Sequence, residues 1–179
     1  MQAARFGRLT NVAAMGAAAS AALIDYLIVG GATGSATFVA GSGGNVQYAE
    51  AQTAPAIGSY SVVIGAGINY NSGNAGSSSF NGVTVTGAPD LVPNTPGTNA
   101  GNYSISGASL DYGTVGASTI ASRGRSPGIT EEGSVTGENG CVIIRYLTGT
   151  ITATGGTTTT SGSYTIHTFT SNGTWQRTA

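Results

Sequence analysis

Short apolar runs separated by clusters of Gly, Ser and Asn dominate the chain from Tyr26 onward. Each run has the length of a β-strand, and nearly every run is followed by a turn signal. This spacing is typical of an antiparallel sandwich or of sheets shared between subunits, and no alternation of strands with helices is visible. The pattern therefore predicts a mainly β domain over residues 25–179, with short strands and long loops. The predicted strands are YLIVGG (26–31), TFVAG (37–41), NVQYAEA (45–51), SYSVVIGAG (59–67), NGVTVTGA (81–88), NYSISGASL (102–110), CVIIRYL (141–147), GTITATGG (149–156) and SYTIHTFT (163–170).

The N-terminal segment follows a different pattern. Residues 2–24 are rich in Ala and contain no proline, and a set of positions recurs at steps of three and four. Such steps place these positions along one stripe of a helix. We therefore predict an N-terminal helical arm over residues 1–24, whose stripe forms a docking surface or a seam between identical copies. The stripe residues are Phe6, Leu9, Val12, Gly16, Ala19 and Leu23.

Two targeting interpretations of this segment are less favoured. Arg5 and Arg8 precede an Ala-rich run, which resembles the core of a signal peptide, but a signal peptide is removed from the mature protein and this chain starts at Met1. A membrane span needs about 20 strongly apolar residues. This stretch is mostly Ala and ends at Asp25, so we expect no membrane insertion.

Three stretches are predicted to be exposed. Residues 89–101 hold three of the five prolines, which predicts an irregular surface loop. Residues 122–140 concentrate much of the charge of the chain, which predicts a solvent-exposed loop. The Thr tract at 154–162 predicts exposed β structure, because β-branched Thr favours strands and its hydroxyl favours water.

Low charge narrows the classes of partner. The chain carries seven acidic residues, six Arg and no Lys, so 7% of it is charged where an ordinary domain has about 25%. A net charge of −1 offers no basic surface for a nucleic-acid backbone or an anionic membrane, so we expect neither partner. A surface this neutral tends to associate with copies of itself, and we therefore expect a homo-oligomer.

The residues that usually carry chemistry are too sparse to form a site. Cys141 is the single cysteine and His167 the single histidine, which excludes an intramolecular disulfide and leaves no zinc ligand set. We interpret Cys141 as a small buried hydrophobe and His167 as an ordinary hydrogen-bonding residue of a strand. The neighbours Glu131 and Glu132 lie in a predicted loop and lack the convergence that two-carboxylate hydrolysis needs. We therefore expect no enzymatic activity, no metal and no cofactor.

A phosphate-binding turn is also not expected. Gly30, Gly31 and Gly34 follow an apolar strand, as in dinucleotide-binding folds. That motif needs a helix N-terminus directly after the turn. Here the sequence ATFVAGSGGN follows, which is β-branched and interrupted by glycine, so these glycines are predicted to make tight turns and close strand contacts.

Several aromatic and amide residues lie in stretches whose composition is that of adaptable binding loops. They have Asn, Gly and Ser as sequence neighbours, although packing in the core competes as an explanation for each Tyr. We treat them as candidate receptor-contacting residues. They are Tyr70, Asn71, Asn74, Tyr103 and Tyr112.

The ordered combination of YLIVGG, GSYSVVIGAG, SSSF and ENGCVIIRY resembles the glycine-rich domain of bacteriophage tail-fibre and related virion proteins. The tail ATGGTTTTSGSYTIHTFTSNGTW is similar to the segment that often follows that domain, so the resemblance spans about residues 25–175. Members of that family usually carry long polyglycine runs that are thought to form packed extended helices. Residues 87–140 of this chain instead contain isolated glycines, which leaves open whether such helices form here.

The resemblance implies a non-enzymatic structural protein of a virion, made in the host cytoplasm and carried on the extracellular particle. The first hypothesis is a homotrimeric tail-fibre or adhesin subunit that contacts other virion proteins, with a host cell-surface glycan as a candidate receptor. The second hypothesis is a capsid decoration or cement protein that stabilises the phage head. A sugar-binding domain of cellular origin is a third, weaker alternative.

Overall fold

The computed structural model describes residues 22–36, 38–90, 95–116, 123–127 and 135–179. Within these residues the chain is mainly β, all paired strands are antiparallel and no helix occurs, which confirms the predicted β class. The helical arm and the trimer stay predictions, because residues 2–21 lie outside the described part and no second copy is present. The strands are β1 (Leu23–Val29), β2 (Val46–Thr53), β3 (Gly58–Val63), β4 (Ser78–Phe80), β5 (Val83–Val85), β6 (Gly101–Tyr103), β7 (Leu110–Tyr112), β8 (Cys141–Leu147), β9 (Ala153–Thr154), β10 (Thr157–Ser161), β11 (Tyr164–Phe169) and β12 (Gly173–Arg177).

The first sheet has the strand order β10-β11-β8-β1-β2. Its central strands β1 and β8 pair with Leu27 opposite Ile143, and both are almost continuously apolar in sequence. A strand has such a continuous apolar sequence when both faces of its sheet are covered. The edge strand β10 is the exposed Thr tract that the sequence predicts.

A second sheet with the order β5-β4-β3-β12-β9 covers one face of the first. The core between the two sheets contains Tyr26 and Ile144 from the first sheet and Phe80 and Trp175 from the second. Trp175 is completely buried, and its ring centre lies 5.8 Å from that of Phe80 in an edge-to-face contact. Such aromatic pairs contribute about 0.5–1.5 kcal/mol beyond the area they bury.

The β6–β7 hairpin and its flanking residues cover part of the opposite face of the first sheet. Leu27, Cys141 and Ile143 of the first sheet pack there with Ile105 and Tyr112. This second core holds the first sheet between two layers, so its central strands are shielded from solvent.

The described chain between these strands forms a glycine-rich bundle of extended segments that are neither helix nor sheet. Each segment hydrogen-bonds to several neighbours, and residues three apart donate to the same neighbour. A strand would pair with a period of two, whereas three residues per turn is the period of a polyproline II helix. The segments, which we call the glycine bundle, are 30–36, 41–45, 64–68, 74–77, 86–89, 95–98, 113–116, 123–127 and 135–140. The period-three pairs of N–H donors and carbonyl acceptors are Gly43 to Thr95 with Val46 to Thr98, Gly113 to Arg123 with Gly116 to Ser126, and Gly137 to Ile68 with Gly140 to Gly65.

Many glycines of the bundle lie where a neighbouring backbone touches their α-carbon. A Cβ on Gly43 would overlap the carbonyl oxygen of Gly113, and one on Gly140 would overlap that of Val29, both well inside 3.0 Å. Neither glycine has a left-handed φ, so glycine is required there for space and not for backbone conformation. Isolated glycines therefore suffice for polyglycine-type packing, because only the residues that face a neighbouring backbone must lack a side chain.

The bundle corrects the predicted loop at 122–140. Its described parts, 123–127 and 135–140, are bundle segments in which Arg123 is buried. The carboxylate of Glu138 accepts hydrogen bonds from the backbone N–H groups of Arg123 and Arg125, at 3.1 and 3.3 Å. The Glu138 carboxylate thus satisfies backbone donors of the bundle.

The described residues of the predicted surface loop at 89–101 that precede β6 form neither helix nor strand and are mostly exposed, as predicted. Residues 95–98 within it hydrogen-bond to residues 43–46. The predicted strand at 37–41 contains no strand in its described residues, because Ala36 and Val39 close a tight turn around Phe38. The described residues of the apolar run at 37–41 therefore lie in the turn that connects two segments of the glycine bundle, 30–36 and 41–45.

Candidate functional site

The glycine bundle points its turns away from the two sheets. Strands β1, β3 and β5 each continue into an outgoing segment, and incoming segments lead back into β2, β4 and β8. The turns between them gather at the far end, where Ser35 N donates to Val135 O at 2.9 Å and the Thr136 hydroxyl bonds to Asn69. We call this end the tip and define it as residues 35–36, 38–39, 68–73 and 135–136.

Phe38 is the most exposed large apolar residue described, at 73%. It lies in the tip turn with φ 61°, in the left-handed region. For a residue with a Cβ this conformation costs about 1–2 kcal/mol, and such strain is concentrated at functional sites. The strand prediction for 37–41 concealed this residue. Its flanking segments, GATGS and AGSGG, are the sequence signal that could have indicated a turn.

The structure separates the predicted receptor-contacting residues into two groups. Tyr70 and Asn71 lie in a tip turn and Asn74 follows it, with Asn71 and Asn74 exposed. Tyr103 and Tyr112 lie instead in β6 and β7, where their rings contact each other 6.1 Å apart. Tyr112 is only 1% exposed and burial raises its pKa, so its prediction as a surface contact is corrected: it is a core residue under the first sheet.

A polar groove of about 400 Å³ runs along the flank of the bundle. Asn45 is fixed in it by two hydrogen bonds: its Oδ1 accepts from Thr98 N at 2.8 Å, and its Nδ2 donates to Thr86 Oγ1 at 2.6 Å. Asn74 Oδ1 accepts from Asp90 N at 2.9 Å. The sequence did not indicate this groove, because four separate segments build it. Its lining residues are Ser42, Gly43, Asn45, Asn74, Ala75, Ser77, Thr86, Gly87, Pro89, Thr95, Pro96, Gly97 and Thr98.

A third surface is the half of the first sheet that the β6–β7 hairpin leaves uncovered. Leu23, Leu147 and Tyr164 are exposed there, beside the ion pair between Asp25 and Arg145 at 2.7 Å. The Arg145 guanidinium also lies 4.6 Å from the centre of the Tyr164 ring, a cation–π contact. This uncovered face is apolar and has no net charge from its central ion pair.

The uncovered face includes the one described member of the predicted docking stripe. Leu23 begins β1 and Ile24 is buried in the core between the sheets, so the predicted arm boundary at residue 24 is corrected: both residues are strand. The other stripe residues lie outside the described part of the chain. They are Phe6, Leu9, Val12, Gly16 and Ala19.

Cys141 and His167 lie on opposite faces of the first sheet and do not form a nucleophile–base pair. Cys141 belongs to the core under the hairpin, and burial raises its pKa to about 12. His167 is buried on the other face of the first sheet, stacked on Tyr146. Its Nδ1 lies 2.7 Å from Gly155 O, which can only accept, so neutral His167 carries its proton on Nδ1 and its Nε2 accepts from the Tyr146 hydroxyl at 2.9 Å. These contacts agree with the interpretation of both residues as structural.

Burial of His167 predicts a loss of stability in mild acid. Burial lowers its pKa below the usual 6.5, so the unfolded chain binds a proton at a higher pH than the folded chain does. Stability should be complete above about pH 6.5 and fall as the pH drops from there to the folded pKa, by up to about 1.4 kcal/mol per pH unit. Urea unfolding of wild type and His167→Gln between pH 8 and pH 5 measures this. Parallel dependences of stability on pH in the two proteins would contradict this prediction. Burial also raises the pKa of Glu138, but both proteins contain this residue, so its effect on stability cancels in the comparison.

Among the described residues, no three His, Cys, Asp or Glu side chains come together in a way that could hold a metal ion. No helix in the same residues has the length and apolarity to cross a membrane. No protein-family model, no curated protein and no solved structure matches the chain.

Proposed function

We propose that this chain is a non-enzymatic subunit of a bacteriophage tail fibre or adhesin that contributes to host attachment. The observation that carries the proposal is the tip, where exposed and strained Phe38 is held at the end of a backbone-packed bundle. A rigid scaffold that displays turns at one end is how binding loops are usually presented. An exposed aromatic side chain is also a typical anchor of a protein interface.

The uncovered face supports the oligomeric part of the proposal. Leu23, Leu147 and Tyr164 form an apolar surface at the point where the predicted arm joins β1. We propose that this end of the molecule assembles into a homotrimer and attaches to other virion proteins, so that the tips point outward. Several tethered copies would then convert weak tip contacts into firm attachment.

The alternative is a capsid decoration protein. The same uncovered face could fill a gap between capsid subunits, and the low charge of the chain would suit such a buried position. In that arrangement the exposed Phe38 would not contact a host receptor.

One experiment on phage particles separates the two functions. Particles carrying the wild-type chain and particles carrying Phe38→Gly are compared for copy number on a stained gel and for rate of adsorption to host cells. A fibre subunit predicts tens of copies in both and a roughly tenfold slower adsorption of the variant, the size expected when one anchor is lost. Glycine accepts the left-handed φ, so folding is preserved. Hundreds of copies with unchanged adsorption would favour the decoration protein, and absence from particles would exclude both.

A further inference from the structure

The polar groove on the flank of the glycine bundle has the dimensions of a ligand site. Its volume of about 400 Å³ lies within the roughly 300–1,000 Å³ of small-molecule pockets. Its walls are the extended segments that contain Asn45, Asn74, Thr86 and Thr98, which the bundle holds by backbone hydrogen bonds. The groove is therefore built on segments whose backbone is fixed by hydrogen bonds to neighbouring segments.

The hydrogen-bonding groups of the groove are oriented before any ligand arrives. Asn45 uses Oδ1 and one hydrogen of Nδ2 in its bonds to Thr98 and Thr86, which leaves its second amide hydrogen. Asn74 is oriented through Oδ1 by the backbone of Asp90, and its Nδ2 has no hydrogen-bond partner among the described residues. The hydroxyls of Ser77 and Thr98 add groups that can both donate and accept.

The lining also excludes several classes of ligand. Among the described residues, no Arg, Asp, Glu or His lines the groove, so these residues offer neither a cation for phosphate or carboxylate nor the carboxylates that a divalent metal needs. The same lining residues include no aromatic ring, so they provide no platform for stacking a nucleobase. What remains is a ligand that is neutral, compact and rich in groups that both donate and accept hydrogen bonds.

We propose that the polar groove binds a neutral carbohydrate, with the side-chain amides of Asn45 and Asn74 donating to sugar hydroxyls. The proline rings of Pro89 and Pro96 give the groove an apolar component for the C–H face of the sugar. Because the groove has no aromatic platform among its described residues, the dissociation constant of a single groove is expected in the millimolar range. Several tethered copies that bind at the same time would raise the overall affinity. This inference rests on the proposed function in one respect, because that function makes the sugar part of a host surface glycan. Binding of the sugar can be measured on the isolated protein.

The test is a titration of the full-length, isotope-labelled protein followed by nuclear magnetic resonance. The probes are glucose, galactose, mannose and N-acetylglucosamine, with glycerol and sodium glucuronate as controls. At least one of the four sugars is expected to shift the side-chain amide signals of Asn45 and Asn74 and the backbone amide of Thr98 in a saturable manner. The inference is overturned if none of the four shifts these signals more than glycerol does, or if glucuronate shifts them as strongly.

Variants assign the binding to the groove. Asn74→Leu is expected to weaken sugar binding at least tenfold, whereas Gln176→Ala, an exposed position of β12 that does not line the groove, is expected to leave it unchanged. Thr86→Val provides a second groove variant, should thermal unfolding show that Asn74→Leu is misfolded. Unchanged affinity in a folded groove variant would overturn the proposal. The outcome of the sugar titration is independent of the particle experiment. Sugar binding by a protein that is absent from phage particles would refute the proposed fibre function. A protein that is present in particles but binds none of the sugars would refute the proposed sugar site in the groove.

Discussion

Replacing Gly43 by alanine is expected to destabilise the protein by about 3 kcal/mol, a large fraction of the roughly 5–15 kcal/mol by which folded domains are usually stable. The new Cβ would overlap the carbonyl oxygen of Gly113. That oxygen belongs to a backbone segment and cannot rotate away as a side chain can. Gly43 N also donates to Thr95 O, so the overlap can be relieved only by breaking bonds of the bundle.

Gly101→Ala is the matched control for this prediction. Gly101 lies in β6 without a left-handed φ, and the nearest neighbour of an added Cβ is the Tyr103 ring at 3.9 Å. Its substitution should change the free energy of unfolding by no more than about 0.5 kcal/mol, or raise it slightly by reducing the freedom of the unfolded chain. Urea unfolding of both variants is the measurement. Equal stability of Gly43→Ala and Gly101→Ala would show that the segments are not packed backbone to backbone.

Trp175→Ala is expected to cost about 3–5 kcal/mol, because it opens a cavity in the middle of the core between the sheets. The Trp175 ring is fully buried and contacts the rings of Phe80 and His167, 5.8 and 6.4 Å away. Unfolding should be followed by circular dichroism, since this variant removes the only tryptophan.

Two further variants define the origin of that loss. The indole Nε1 of Trp175 has no hydrogen-bond partner among the described residues, so Trp175→Phe should lose only volume and cost about 1–3 kcal/mol. The neighbouring side chain of Gln176 is exposed, and Gln176→Ala should stay within about 0.5 kcal/mol of wild type. A Trp175→Ala protein as stable as Gln176→Ala would mean that the two sheets do not share this core.

The strands with strong apolar patterns and the exposed Thr tract could be predicted from the sequence, whereas two short strands could not. LIDYLIV and CVIIRYL became β1 and β8 because both faces of their sheet are buried. The strands β4 and β12, SSF and GTWQR, were missed because they are short and their order depends on pairing with β3, which is distant in sequence. Local patterns hold no information about such a partner.

The bundle and its groove were beyond the reach of sequence patterns for a different reason. Strands and helices are recognised by apolar residues that recur every two or 3.6 residues. The bundle repeats every three residues, and its contact positions are glycines, which have no side chain. The groove joins Asn45 to Thr98 and to Thr86, which are 53 and 41 residues away. Of the predicted contact residues Asn74 reaches this groove, while Tyr112 was assigned to a loop because its Gly and Ser neighbours conceal a buried strand.

The composition of the bundle interior also affects how the protein responds to temperature. Unfolding a hydrocarbon core raises the heat capacity, whereas exposing peptide groups lowers it. The bundle segments are held together by contacts between peptide groups, so the heat capacity of unfolding should fall below the typical value of about 12–15 cal/mol/K per residue. A smaller value flattens the dependence of stability on temperature. The glycine segments would thus let the protein keep nearly the same resistance to unfolding in cold surroundings and in warm ones.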